Sequence, residues 1–304
     1  MRSLSILAGT ALLATLVAGC GDDGKSDNPL EAPKPSGSAS SKTITVGSAA
    51  FPESELLAEI YAGALEAKGV TVKKQLKIGE REAYYKLIEN GTISFFPEYN
   101  GALLAYLDPK GEVPATAEDT TKALTGKLPA SLKILAPSPA EDNDSLTVTQ
   151  ETATKHNLKT LDDLKPVAKD FTVGGPATFE QRFKEKFSSV YGLTFKGWTP
   201  DRSGGGNIPT WLKSDKVQIG NVFTTSPAIV TQNLVVLEDP KHVFGFQNIT
   251  PLVRADAVDA TAEGVINGVS AKLTTEDLLK LVKEIAIDKK DAASVAKEWL
   301  AAHP

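Results

Sequence analysis

The sequence predicts an α/β protein with two lobes, and three observations support this prediction. Strand and helix patterns alternate from Thr43 to Leu107 in the order β-α-β-α-β-α, which favours a mostly parallel sheet flanked by helices. A second alternating stretch begins near Ser145. The chain has 304 residues, which is long enough for two lobes of this kind. We therefore expect two α/β lobes with a cleft between them.

Each element of the first stretch is predicted from its residue types. The segment TITVGSAA, at 43–50, is alternating and rich in β-branched residues, as is typical of a strand. The next segment places apolar residues at helical spacing and stops at Gly69. The same criteria predict a strand over 70–78, a helix over 80–91 and a strand over 93–96. Because Pro97 cannot donate to a ladder, we expect this third strand to end there.

The second stretch is read in the same way. Strands are predicted at SLTVT, FTVGG, VQIGNVF and LVVLED, and helices around LKTLDDL and FEQRFKEKFSSVYG. The segment GFQNITPLVR follows, and the chain then ends in two helices over 274–302. The pattern has no short internal repeat.

The N-terminus predicts export. Arg2 is the only charge before Asp22, and the run from Leu4 to Ala18 is apolar but too short for a membrane span. It ends in LVAGC, which looks like a bacterial lipobox with cleavage before Cys20. We therefore predict a signal peptide over 1–19 and lipid attachment at Cys20. The alternative is a structural free thiol that happens to follow a signal peptide.

A tether is predicted over 20–42. Asp, Ser, Gly and Pro dominate this segment, and almost none of it could be buried. Its reach of about 25 Å, expected for about 22 flexible residues, would hold a globular body just clear of a membrane. The predicted membrane attachment is through the lipid alone.

Composition excludes several functions. The net charge is −5 and no basic stripe is present, which argues against a nucleic-acid partner. One cysteine cannot form an internal disulfide or a multi-cysteine metal site. The three histidines do not have metal-ligand spacing, and no nucleophile elbow is present. We therefore predict a binding protein without cofactor or metal rather than an enzyme.

Several blocks, in order, resemble a known family. They are ITVGSAAFPESELLAEIYAGALEAKG, NGTISFFPEYNGALL, TFEQRF…VYGL, VQIGNVFTTSPAI and FQNITPLVR. The body from Ile44 to about Trp299 resembles the substrate-binding lipoproteins of glycine betaine/choline/carnitine ABC importers (ProX/OpuC-like). The resemblance implies a two-lobed, type II periplasmic-binding-protein-like fold, with 43–140 and 245–304 as lobe I and 141–244 as lobe II.

The resemblance also implies partners and a location. A small molecule would bind between the lobes, and a monomer would deliver it to ABC permease and ATPase subunits. The protein would be exported and held by lipid on the outer face of the bacterial cytoplasmic membrane. The implied ligand is a quaternary ammonium, which aromatic faces recognise through cation–π contacts.

Candidate ligand-binding residues come from this resemblance and from strand ends, where ligands bind in such sheets. They are Ser48, Phe51, Tyr99, Asn100, Asn143, Ser145, Phe179, Arg182, Phe223 and Thr224. Ser145 and Phe223 stand where the family has tyrosines, so the aromatic cage is thinner than usual. This leaves open another zwitterion or an aromatic solute as ligand. An extracytoplasmic enzyme and a receptor without transport also remain open, because a fold does not fix a function.

Overall fold

The computed structural model describes residues 42–202 and 205–304. The predicted signal peptide, the lipid attachment at Cys20 and the tether up to residue 41 lie outside the described residues. Within the described ranges, no helix combines the length and the apolar character needed to cross a bilayer.

The described chain forms ten strands and eleven α-helices. The strands are β1 Ile44–Gly47, β2 Val72–Gln75, β3 Phe95–Tyr99, β4 Leu132–Ile134, β5 Leu146–Thr149, β6 Thr172–Gly175, β7 Gly197–Pro200, β8 Ile219–Asn221, β9 Leu234–Val236 and β10 Ile249–Arg254. The helices are α1 Pro52–Ala67, α2 Arg81–Glu89, α3 Asn100–Leu107, α4 Ala117–Lys127, α5 Gln150–His156, α6 Ala177–Lys186, α7 Ile208–Lys213, α8 Ala228–Thr231, α9 Ala260–Ser270, α10 Thr275–Ala286 and α11 Ala292–Ala302. A π-helical turn, Phe187–Tyr191, extends α6.

The strands form two five-stranded sheets. The first has the order β2-β1-β3-β10-β4 and the second β7-β6-β8-β5-β9. In each sheet four strands run in one direction and one strand, β10 or β5, runs against its neighbours. That strand is the one the chain enters after crossing from the other sheet. The predicted two-lobed α/β fold is confirmed, with sheets that are mixed rather than purely parallel.

The prediction that the third strand ends at Pro97 is wrong. β3 continues to Tyr99, and Pro97 lies opposite Pro251 of β10. Neither proline has an N–H, so the pair occupies a position of the antiparallel ladder where the two residues exchange no hydrogen bonds. A proline is therefore tolerated in this central strand because the pairing with β10 requires no N–H from it at this position.

The first core is built around α1. Its residues Leu56, Leu57, Ile60, Tyr61 and Leu65 are fully buried, as their helical spacing predicts. They pack in one cluster with the first sheet and with α9, α10 and α11. The Tyr61 hydroxyl lies 2.9 Å from the Ser270 hydroxyl of α9, so its polar end is hydrogen-bonded.

The second core contains a cluster of packed aromatic rings. Phe179, Phe183 and Phe187 follow one another along α6 and its π-helical turn, and pack against Trp198 and Phe244. Phe179 and Phe187 are fully buried. This cluster fixes α6 against the second sheet.

Two predictions for local structure differ from the structure. The segment around Leu161–Leu164 is a 3₁₀ turn with a capping box rather than an α-helix. Helix α9 was not predicted, because Gly264 and Gly268 interrupt its apolar pattern. Its N-cap, Asp259, accepts a hydrogen bond from the Ala262 N–H and supplies a start signal.

Two crossing segments, 139–144 and 244–248, join the sheets side by side. The Asp142 N–H donates to the Gln247 carbonyl over 3.3 Å, and the Asn143 side-chain amide donates to the Gly245 carbonyl over 2.9 Å. Glu141 and Asn248 form an isolated antiparallel bridge. The two crossings therefore behave as a short two-stranded ribbon between the lobes.

The contact of α3 with this ribbon is tight enough to predict a mutational effect. A methyl group on Gly101 would lie 2.2 Å from the Phe246 carbonyl oxygen. Gly101→Ala should lower the free energy of unfolding by about 1–3 kcal/mol, because backbone must move to relieve the overlap. Gly264→Ala is the matched control, since nothing lies within 4 Å of its added methyl group. The control should be neutral or stabilising by up to about 1 kcal/mol in urea denaturation. Equal midpoints for Gly101→Ala and the parent protein would contradict the expected overlap.

Candidate functional site

A cavity of about 300 Å³ lies between the two sheets, beside the crossing segments. Its walls carry aromatic, acidic and basic side chains from both lobes. They are Phe51, Glu80, Arg81, Tyr84, Phe96, Tyr99, Asp142, Asp144, Arg182, Phe223 and Gln247, together with Ala49 and Ala102. This volume is at the lower end for ligand pockets and suits a small solute.

The wall from the first sheet is aromatic. Phe51 lies in the loop after β1 and Tyr99 at the end of β3, so both follow carboxyl ends of strands. Their ring centroids are 6.4 Å apart. Phe51 is 43% exposed, which is unusual for a phenylalanine and leaves part of the side chain accessible.

A buried carboxylate holds this wall in place. Glu98 of β3 is fully buried and accepts two hydrogen bonds from Arg81, at 2.8 and 3.1 Å. The Tyr84 hydroxyl donates to it over 2.7 Å and the Tyr99 N–H over 2.7 Å. The Tyr84 ring stacks on Phe96 with centroids 3.8 Å apart. Burial, with the adjacent Glu98 charge, raises the pKa of the Tyr84 phenol well above its usual value, so this hydroxyl stays a donor.

The wall from the second sheet is a phenylalanine beside an ion pair. Phe223 follows β8 and is 48% exposed. Asp144 accepts a hydrogen bond from the Asn221 side chain over 3.0 Å and pairs with Arg182 of α6 over 2.9 Å. Phe51 and Phe223 are therefore exposed aromatic side chains that line one cavity from the two lobes.

A second buried cluster links both lobes at the crossing. The Tyr99 hydroxyl donates to Glu53 of α1 over 2.5 Å, and the Thr225 hydroxyl donates to Asp142 over 2.8 Å. The pKa of Glu53 is raised to about 8, first by burial and then by the charge of Asp142, while hydrogen bonds from Thr225 and Tyr99 oppose the shift. The pKa of Asp142 is raised to about 6, chiefly by burial. Two carboxyl groups therefore share one site at the cavity wall.

Four of the ten predicted residues line the cavity: Phe51, Tyr99, Arg182 and Phe223. The structure brings these four together from four separate elements. Whether each touches a ligand stays a prediction.

The other predicted residues lie beside the cavity rather than on its surface. The Ser48 hydroxyl accepts from the Lys77 N–H, and Asn100 accepts from the Asn248 and Gly101 N–H groups. The Thr224 N–H donates to the Asn143 carbonyl, and the Asn143 N–H donates to the Thr224 hydroxyl.

The remaining two predicted residues lie inside the second lobe. Ser145 donates to the Val222 carbonyl over 2.5 Å, and Phe179 is fully buried in the aromatic core. Their predicted contact with ligand likewise stays a prediction.

Sequence reasoning missed several residues of the site. Asp142 and Asp144 line the cavity, whereas the singled-out Asn143 and Ser145 alternate with them and bond backbone groups on the other side. Side chains of extended chain point alternately to opposite faces, so the cavity-lining residues of the segment EDNDS alternate with the predicted ones. Two acids separated by one residue, directly before the predicted strand SLTVT, were the signal that could have found them.

Arg81, Tyr84 and Glu53 were also missed. Arg81 and Tyr84 lie on one face of α2, three residues apart, directly after the loop that follows β2. Glu53 lies in the first turn of α1, where an acid is ordinarily explained by the helix dipole. Its burial, with only 5% of the residue exposed, is what marks it as part of the site.

The fold and the cavity together define a two-lobed solute-binding protein of the kind that serves ABC importers. Residues 42–302 match the family model described as the substrate binding domain of the ABC-type glycine betaine transport system (OpuAC). The chain belongs to this family.

Related proteins cover nearly the whole chain. The carnitine transport binding protein OpuCC of Listeria monocytogenes is 26% identical over 276 residues, which are 87% of this chain and 88% of that protein. The glycine betaine-binding protein YehZ of Escherichia coli is 24% identical over 287 residues, or 90% and 92% of the two chains.

Solved structures show the same fold. A crystal structure of a glycine betaine/carnitine/choline ABC transporter protein superposes with a TM-score of 0.78 at 21% identity, covering 86% of this chain and 98% of that one. Apo YehZ of Escherichia coli superposes with a TM-score of 0.74 at 22% identity, with the same coverage.

No cluster of three or more His, Cys, Asp or Glu side chains suited to a metal ion occurs in the part of the chain that the structure describes.

The raised pKa values of Glu53 and Asp142 predict a pH dependence of stability. Between about pH 4.5 and 8 the folded protein binds more protons at these groups than the unfolded chain does, so they make stability fall as pH rises. Glu53→Gln should remove its part of this slope, at most about 1.4 kcal/mol per pH unit for one proton. Urea denaturation from pH 5 to 9 measures the slope.

Glu66→Gln, which changes an exposed carboxylate on the same helix, is the control and should keep the parent slope. An unchanged slope in Glu53→Gln would show that Glu53 is ionised throughout this range.

Proposed function

We propose that the protein captures a small quaternary-ammonium or similar osmolyte in the cavity between its lobes and delivers it to an ABC permease. The observation that supports this most directly is that two exposed phenylalanines, Phe51 and Phe223, line one small cavity from the two lobes. Ligands of this kind are named for relatives: carnitine for OpuCC and glycine betaine for YehZ.

The physical basis is cation recognition without hydrogen bonds. A quaternary ammonium has no N–H, so an aromatic face is its best neutral partner, worth about 0.5–2 kcal/mol per contact. Tyr99 adds a third ring, held by its hydrogen bond to Glu53. Closing the lobes would bury both phenylalanine faces against the ligand, which favours the closed state by the differential contact made there.

The ribbon of crossing segments supports a hinge at this place. We assign 43–140 and 245–304 to lobe I and 141–244 to lobe II, because each set holds the strands of one sheet. The permease would bind the closed form, and the ATPase subunits would then drive import.

We further propose that the protein acts as an exported, lipid-anchored monomer. The motif LVAGC supports attachment through Cys20, and the segment that follows supports a tether of about 20 residues. The body would then work at the outer face of the cytoplasmic membrane without a spanning helix.

A second candidate is a receptor of the same fold for a different small ligand. The thinner cage, with Ser145 buried beneath the sheet and Phe223 without a phenol, favours this possibility. An ergothioneine binding protein of Helicobacter pylori, EgtU, is 22% identical over 278 residues, which are 47% of that protein.

A thermal-shift screen of the full-length protein tests the proposal. Glycine betaine, choline and carnitine are compared with ergothioneine, proline betaine, amino acids and plant phenolics. A ligand that binds the native state raises the melting temperature in step with its concentration relative to Kd. If no quaternary ammonium shifts the melting temperature at millimolar concentration, the ligand class is wrong although family membership stands.

Variants of the aromatic walls test the site. Phe51→Ala and Phe223→Ala should each weaken binding about 2- to 30-fold, from the loss of one cation–π contact. Tyr99→Ala should abolish the shift, because it also removes the partner of Glu53. Ile287→Ala, which truncates an equally exposed side chain at the end of α10, should bind like the parent protein. Parent-like binding by Phe51→Ala and Phe223→Ala together would remove the cage from the site.

A further inference from the structure

The cations of the cavity wall are already paired. Arg81 donates two hydrogen bonds to the fully buried Glu98. Arg182 pairs with Asp144 across the second wall. Among the described residues that line the cavity, these two arginines are the cationic side chains, and each already faces a carboxylate of the wall.

Two carboxyl groups of the same site lack a cationic partner. Asp142 faces the cavity and accepts from Thr225, and Glu53 lies behind the wall and accepts from Tyr99. Both of these hydroxyl donors are neutral, as is the Thr225 N–H, which also donates to Asp142. Over residues 42–202 and 205–304, neither carboxylate has a salt bridge, although the other buried acids of the wall, Glu98 and Asp144, each have one. A buried carboxylate without a counter-charge is costly unless a cation arrives.

We propose that the cleft selects a net monovalent cation that carries no carboxylate, a choline-like ammonium, and that Asp142, with Glu53 behind it, supplies the counter-charge. This inference rests on the proposed function and narrows its substrate class. A cation held between Phe51 and Phe223 gains both aromatic contacts and the charge of Asp142. The carboxylate of a zwitterion such as glycine betaine would find each cation of the wall already paired with a carboxylate, and would face the like charges of Asp142 and Asp144.

Proton linkage follows from the same geometry. Burial raises the pKa of Glu53 to about 8, with help from the charge of Asp142, and the pKa of Asp142 to about 6, with help from the charge of Asp144. A bound cation favours their ionised forms, so it must displace protons between pH 6 and 8. Its affinity therefore rises with pH across this range.

Other charged and titratable groups around this pair come from several elements. They are Tyr99 and Glu98 of β3, Arg81 and Tyr84 of α2, Glu80 before α2, Asp144 of the crossing segment and Arg182 of α6. Tyr84 and Tyr99 have pKa values raised above their usual range by burial, so they stay neutral between pH 6 and 8.

Isothermal titration calorimetry of the full-length protein in mild detergent tests the inference. Choline and glycine betaine are titrated at pH 6, 7 and 8, in two buffers of different ionisation enthalpy. We expect choline to bind at least about tenfold more tightly than glycine betaine at pH 8. We also expect choline affinity to rise by about tenfold from pH 6 to 8, with proton release visible as a buffer-dependent enthalpy.

Two amide variants identify the residues. Asp142→Asn keeps the shape and the acceptor for Thr225, and should weaken choline binding by about tenfold or more at pH 8. Glu53→Gln should reduce the pH dependence and the proton release. Asp162→Asn, at an exposed ion pair on the second lobe, is the matched control and should bind choline like the parent protein. Circular dichroism and the melting temperature without ligand check that the variants are folded.

The outcomes separate this inference from the proposed function. Tighter binding of glycine betaine than of choline, or choline binding without proton release, overturns the inference and leaves the proposed function standing. Parent-like choline binding by a folded Asp142→Asn overturns the assignment of the counter-charge. Binding of neither compound at millimolar concentration overturns the proposed function itself.

Discussion

The paired crossing segments are the constraint on which the rest of this structure depends. The bond from the Asp142 N–H to the Gln247 carbonyl and the bond from the Asn143 side chain to the Gly245 carbonyl make one ribbon of two chain passages. The ribbon places Asp142, Asp144 and Gln247 on the cavity wall, and it delivers β5 and β10 to their sheets as the single reversed strands. The site therefore exists because the chain crosses twice at one place. A single crossing would leave the two lobes without a common wall.

Much of this fold could be predicted from local patterns. Helix α1, strand β1 and the strand-to-helix corner at Tyr99 follow from apolar spacing and strand-end chemistry, because each depends on residues that are neighbours in sequence. Local patterns indicate two α/β stretches. The assignment of residues to two lobes came from the sequence blocks that resemble the family. Helix α9 escaped because two glycines weaken its pattern, and its burial against α1 is a tertiary effect.

The candidate site was harder to predict because its charges are organised by contacts distant in sequence. The buried carboxylate of Glu98 is paired with Arg81. The pKa of Glu53 is raised by burial and by the charge of Asp142, which lies 89 residues further along the chain. In the segment EDNDS, a shift of one residue decides which side chains face the cavity. The sequence alone does not tell which alternate residues these are, because that depends on the strands packed beside the segment. Phe51 and Phe223 were easier to find, because both lie at predicted strand ends and within blocks that resemble the family.

The facing prolines of β3 and β10 have a consequence for how the chain reaches this structure. A shift of one residue between the two strands would bring Pro97 or Pro251 to a position where the partner carbonyl requires an N–H. A buried carbonyl would then lack a donor, at a cost of about 1–3 kcal/mol. Incorrect alignments of this central strand pair are thereby penalised during folding, before any ligand is present. The two prolines, which donate nothing, keep Tyr99 at the mouth of the cleft by excluding the neighbouring alignments.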